Sequence, residues 1–270
     1  MKRRLVLTAG AVSTAAAVVP MGSVAWAAAA PVDTATFAAV VAGARRDLDA
    51  SQLAALAESL PSLLAAGQSA VDGTAGADRP VATGLFSRLL TVAGHVAYRT
   101  SDEATAARFA VEARAHAEEA GDAVAACEAE RVAAVVVRRS GDSGATGLMM
   151  AAADRLEHAT GLTEPTALST WAETASSTAY TCAGFGALDD ADELLAVARA
   201  RLETAARPTR FTVNDVNVFA MSTAMIAGAF DLVLDRSRRV DAALLTTGHQ
   251  RAHFHKDVAL AAAAASTRPC

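Results

Sequence analysis

"RTSDEATAARFAVEARAHAEEAGD", residues 99–122, is the stretch whose spacing decides the fold. Thr100 followed by Glu103 forms a capping-box pattern for the start of a helix. Ala106, Ala110 and Ala113 then recur at helical intervals on one face, and Gly121 supplies a residue suited to the left-handed conformation that ends helices. A single amphipathic helix would explain this much, but the same spacing returns downstream.

Forty residues on from Gly94, Ala106, Ala110, Ala113 and Gly121 stand Ala134, Thr146, Met150, Ala153 and Gly161. A further forty-five residues bring Ala179, Ala191, Leu195, Ala198 and Ala206, and a weaker copy holds Met221, Val233, Ser237 and Val240. A sequence period of this size signals stacked supersecondary units, each unable to bury its apolar face alone. The spacing predicts paired helices over 83–99 and 102–119, 123–139 and 143–159, 165–183 and 188–205, and 213–227 and 230–244. A last helix is expected over 248–265 and an earlier one over 51–64, kinked at Pro61. Asp142 and Asp189 stand where they could cap second helices, and Thr163-Glu164-Pro165 reads as a helix start with proline in the first turn. The domain division follows: 1–31 as an export signal or alanine-rich joint, 32–82 as a helical segment and loop, 83–265 as the repeats, and 266–270 as a tail.

Composition agrees with an all-α protein. Of the 270 residues 53% are hydrophobic and only 4% aromatic, with alanine dominant, and alanine enters a helix with no loss of side-chain entropy. No sustained alternation of β-branched and polar residues argues for strands. The formal net charge of −5 and the scatter of the basic residues give no footprint for a phosphate backbone, so direct nucleic-acid binding is not expected. Cys127, Cys182 and Cys270 are far apart and odd in number, which points to no disulfide framework and no metal spacing.

At the start of the chain Lys2, Arg3 and Arg4 precede a charge-free segment, 5–30, that contains Ala25-Trp26-Ala27. A basic stretch, a weakly apolar stretch and a small-x-small site form an export-signal pattern, here with the twin arginine, cleaved after Ala27. Pro20 and the many small residues argue against a membrane span.

The repeat resembles the tetratricopeptide repeat. Gly94, Ala134 and Ala179 match that family's small residue in the first helix, and Ala191, Leu195 and Ala198 match its small–large–small series in the second. The units are longer than the family's ~34 residues, its aromatic positions are mostly aliphatic, and its proline is absent. The stretch "FAMSTAMIAGAFDLVLDRSRRVD" (219–241), with "RRLVLTAGAVSTAAA" near the start, is similar to the C-terminal regulatory half of the XRE/Cro-type helix-turn-helix regulators of high-GC bacteria. That resemblance implies a tetratricopeptide-like sensor, an N-terminal alanine-rich joint in place of a working export signal, and a cytoplasmic location. The expected location is accordingly cytoplasmic, with twin-arginine export of a helical-repeat scaffold as the alternative. The DNA-binding helices of such regulators do not precede Met1, and the last helix pair ends early at "AAAAASTRPC". The chain is therefore expected to be the sensor half alone or the product of a shortened gene, with any transcriptional role running through a partner protein.

No phosphate-binding glycine loop, nucleophile elbow or H-E-x-x-H is present. His249 and His253 share a helical face, but two ligands fall short of a zinc site, which needs three or four; no metal, cofactor or catalytic residue is assigned. The working surface is expected where the first helix of each pair lines a concave wall. The positions predicted to face it are Arg88, Thr91, His95 and Tyr98 in the first pair, and Glu128, Arg131, Val135 and Arg138 in the second. The third pair supplies Glu173, Ser176 and Tyr180, and the fourth Asp215 and Ser222, with Asn214 and Asn217 close by. Of these, Arg88, His95, Tyr98, Arg131, Arg138, Glu173, Tyr180 and Asn217 form the candidate ligand-binding set. Arginine suits a peptide carboxylate or another small anion through its bidentate fork, unless the facing carboxylates neutralise it in ion pairs. The expected partners are a peptide, a protein, a small molecule or a second copy of the chain.

Overall fold

A computed structural model describes residues 33–266; the twin-arginine segment with its cleavage site, and the 267–270 tail, lie outside them. The described chain is all-helical: α1 (Thr34–Asp49), α2 (Leu53–Gly73), α3 (Arg79–Arg99), α4 (Glu103–Ala120), α5 (Ala123–Arg139), α6 (Gly144–Thr160), α7 (Pro165–Gly184), α8 (Leu188–Glu203), α9 (Val213–Ile226), α10 (Phe230–Ser237) and α11 (Gly248–Ser266). Short links join each odd-numbered helix to the even-numbered one after it, so the helices pack in consecutive pairs. Each odd helix also packs on the next odd helix, from α1 through to α11, whereas the even helices stand further apart from one another. Tighter spacing on one side makes the row of odd helices the inner layer of the stack.

The small residues explain that tight spacing. Ala134 and Ala179 are fully buried, and a Cβ built on Gly94 would come within 3.1 Å of Val132 Cγ1 and 3.6 Å of the Ala106 carbonyl oxygen. In α4 the predicted face is the buried face, Ala106, Ala110 and Ala113, and in α8 it is Ala191, Leu195 and Ala198. In α6 the register is one residue earlier. Ala145 and Met149 are buried where Thr146 and Met150 were expected, and those two are only half-covered. The second helix of that unit thus repeats α4 at an interval one residue shorter, with Leu156 occupying the place of Ala117.

Helix ends bring further corrections. The cap of α4 is Asp102, whose carboxylate accepts from the Thr105 amide at 3.0 Å. Thr100 instead closes α3, its hydroxyl donating to the Val96 carbonyl at 2.9 Å. Asp142 accepts from the Gly144 amide at 2.8 Å, but Asp189 lies inside the first turn of α8 and caps nothing; Ala187 holds that position. Gly121 and Gly161 end α4 and α6 with φ of +67° and +58°, as their placement predicts. Pro165 opens α7.

Two differences are larger. The segment 34–49, for which no separate helix was expected within the 32–82 helical segment, is helix α1, capped by Asp33 and packed through Phe37, Val41, Ala44 and Leu48. The helix expected over 51–64 runs on to Gly73 with Pro61 inside it. Together α1 and α2 make one more pair ahead of the repeats. At the other end α10 stops at Ser237 instead of 244, and Arg236 in its last turn is buried. Its guanidinium donates to the Ala220 carbonyl at 2.7 Å and pairs with Asp192 at 2.5 Å.

Gly94→Leu should lower unfolding free energy by about 1–3 kcal/mol through overpacking against Val132. Gly121→Ala should cost about 1–2 kcal/mol, the strain of a left-handed alanine. Urea unfolding followed by far-UV circular dichroism measures both.

Candidate functional site

The inner layer carries a cluster of charge. Because the odd helices run side by side, residues at equal heights meet across them. Arg131 of α5 pairs with Glu173 of α7 at 2.9 Å, and Arg210, from the link before α9, reaches the other oxygen of the same carboxylate at 2.8 Å. His95 of α3 lies in the field of Arg131, Arg45 and Arg99, with Glu173 the carboxylate acting on it. Arg45 comes from α1 and stands 3.4 Å from Asp49. Arg99 donates to the Leu48 carbonyl at the end of α1, at 3.1 Å.

Burial and these neighbours shape the ionisation. Desolvation pushes the His95 imidazole well below its ordinary range, and the three arginines push it further the same way. Glu173 is held well below the ordinary carboxylate range: burial opposes ionisation, but Arg131, Arg210 and Arg45 overcome it. Arg131 is nearly covered, and its Nε has no hydrogen-bond partner in the structure. Ser176, fully buried one turn on from Glu173, has a hydroxyl without a partner as well.

About two turns further along α5 and α7 is an aromatic layer. Arg138 lies 5.0 Å over the ring of Tyr180 and donates to the Tyr98 and Thr181 hydroxyls, both at 3.4 Å. Arg139 lies over the Tyr98 ring at 4.9 Å and donates to the Tyr98 carbonyl at 2.8 Å. Arginine–aromatic stacking of this kind leaves donor groups of the guanidinium facing outward.

Six of the eight sequence-predicted residues, His95, Tyr98, Arg131, Arg138, Glu173 and Tyr180, therefore fall in two adjoining layers. Arg88 is apart from them, ion-paired at 2.8 Å to Asp122, the cap of α5. Asn217 is also apart: its amide accepts from Arg199 at 2.9 Å and donates to the Arg239 carbonyl at 2.8 Å, so both ends serve internal bonds. Asn214 likewise ties α9 to Asp241. Trp171 belongs to the core and not to the wall, with Arg201 4.1 Å above its ring. Arg45, Arg99 and Arg210 were not foreseen as site residues. The pattern Phe37, Val41, Ala44, Leu48 behind an Asp33 cap was the available signal for α1 and hence for Arg45.

Among the described residues, neither thiol is a ready nucleophile. Cys127 is buried beside the Thr174 hydroxyl, with its pKa pushed up to about 11, and burial also raises that of Cys182. Among the described residues no group of three or more His, Cys, Asp or Glu could hold a metal ion, and no helix is long and apolar enough to cross a membrane. No protein-family model and no curated protein sequence matches the chain.

His95 generates a pH dependence. Its folded pKa is depressed, so below about pH 6.5 the unfolded chain takes up a proton that the folded chain refuses, and stability falls as the pH drops. His95→Gln should flatten the difference in unfolding free energy between pH 7.5 and 5.5, removing at most about 1 kcal/mol per pH unit. Urea titrations of both proteins at the two pH values measure it.

Proposed function

We propose that this chain is a non-enzymatic helical-repeat binding module whose inner wall captures the anionic group of a peptide or small molecule. The observation that carries the proposal is the convergence of Arg45, Arg99 and Arg131 from three successive inner helices around the half-buried His95. Glu173, Asp49 and Glu128 are the carboxylates that act on these arginines. With Arg210, which shares Glu173, four guanidiniums face three carboxylates, a positive excess that favours an incoming anion.

Arg131 and Ser176 would supply the buried donors. Each has a donor group without a partner, and leaving a buried donor unpaired costs about 1–3 kcal/mol. Both are covered, so an anion would pair with them only as the wall opens around Arg131 and Ser176. The Tyr98–Arg138–Tyr180 layer would hold the apolar or aromatic part of the ligand next to its charge. Binding would act by favouring one curvature of the stack, or its self-association, over another. In the regulatory role that the resemblance implies, the signal would pass to a separate DNA-binding partner.

A binding screen tests this. Short peptides with free or amidated C-termini, and a set of small carboxylates and phosphate esters, are assayed by thermal shift and calorimetry. At least one anionic member should bind saturably, its amidated or uncharged analogue should not, and Arg131→Met should weaken it about 10- to 100-fold, the worth of a hydrogen bond to a charged group. Equal binding of charged and neutral analogues, or no effect of Arg131→Met, would overturn the proposal.

A further inference from the structure

A second concavity lies away from the charged wall, where α2 and α4 stand apart over α3. It is a slot of about 610 Å³, within the size range of small-molecule sites. Along α2 it extends from Ala57 to Asp72, roughly 22 Å at 1.5 Å per residue. Its floor is formed by Phe86, Leu90, Val96 and Phe109, none more than 7% exposed. The floor is nearly covered, so the apolar surface left open to a ligand lies mainly on the α2 side, at Ala57, Pro61, Leu64 and Ala65. The space suits a slender, unbranched apolar chain.

The polar groups at the rim set the other end of such a ligand. Pro61 has no N–H to give the carbonyl of Ala57, one turn earlier in α2, and both residues line the slot. The Asp102 carboxylate borders the same cavity, as do Asp72 and Glu112. Against these three acids stands one cation, Arg108, whose guanidinium lies 5.1 Å over the ring of Phe109. The rim therefore offers acceptors and negative charge, and asks for a donor with positive charge.

We infer that the slot between α2, α3 and α4 is a binding site for a single-chain amphiphile with a cationic head, its alkyl tail along the α2 side of the slot and its ammonium group near Asp102 and the Ala57 carbonyl. The site is independent of the anion-binding wall, since its lining residues lie outside that cluster. Tail burial supplies most of the affinity and the acidic rim decides which head group is accepted.

The full chain is titrated by calorimetry with dodecylammonium, dodecanoate and 1-dodecanol, each below its micellar concentration. One dodecylammonium per chain is expected, at least tenfold tighter than dodecanoate, and decylammonium about tenfold weaker for its two missing methylenes. Asp102→Asn keeps a good helix cap while removing the charge. It should reduce the preference for ammonium over carboxylate several-fold and leave dodecanol unchanged. Ala65→Phe, or Gln68→Trp on the exposed lip should that variant fail to fold, fills the slot and should abolish binding of all three. Absence of saturable binding, equal or tighter binding of dodecanoate, or undiminished binding to a correctly folded slot-filling variant would each overturn the inference.

Discussion

Close approach of the first helix of each pair to the first helix of the next is the constraint on which the rest depends. At Gly94 the neighbouring Val132 comes so near that a methyl group would press on it, and Ala134 and Ala179 keep the same layer thin in the following units. A chain with leucine at these places would hold its inner helices further apart. The consequences run outward from there. Side chains one residue beyond the small positions are carried to the surface of the wall at matching heights, which is why His95 follows Gly94 and Tyr180 follows Ala179. Charge that is remote in sequence becomes contiguous in space without any loop to position it.

The central helix α7 takes this furthest. Packed against α5, α6, α8 and α9, it is covered on nearly every side, yet its buried residues include Thr174, Ser176, Ser177, Thr178 and Thr181. Hydroxyls can sit in such a place because they bond back along their own helix, Thr178 to the Thr174 carbonyl at 2.9 Å and Thr181 to that of Ser177 at 2.8 Å. Small satisfied polar residues hold the neighbouring helices close, and that closeness brings Glu173 between Arg131 and Arg210. Ser176 keeps a fully buried hydroxyl without a partner, three residues along the helix from Glu173.

Much of this was legible because one face of each helix is written in small residues at fixed intervals. The periodicity gave the helix count from 79 onward, the glycine stops and the inner row. It failed where a different residue could satisfy the same local need. Asp102 displaced Thr100 as cap because its carboxylate reaches the Thr105 amide, while Thr100 was engaged with the preceding turn. The shifted register of α6 escaped notice because alanine and methionine occur in adjacent pairs there, so Ala145–Met149 and Thr146–Met150 fit the spacing about equally well. Of the site, six residues carried by the repeat were found and Arg99 at the end of α3 was not; Arg45 and Arg210 were missed as well. One sits on a helix outside the period, the other in a link whose path no spacing rule specifies. The slot between α2 and α4 depends on how far two outer helices diverge, which is a property of the packed stack and not of any single segment.

The ionisation of the wall bears on what kind of work it can do. A general base is effective when its pKa lies near the working pH, and neither candidate here is so placed. His95 is kept neutral by burial and by the arginines around it, so it resists taking a proton. Glu173 stays ionised under the pull of Arg131 and Arg210, so it too is a feeble acceptor. The Cys127 thiol, with its pKa near 11, is protonated at neutral pH and a poor nucleophile. A cluster tuned in this direction conserves positive charge over a wide pH range while discouraging proton transfer. Under the binding proposal, these are the properties asked of a surface that holds an anion.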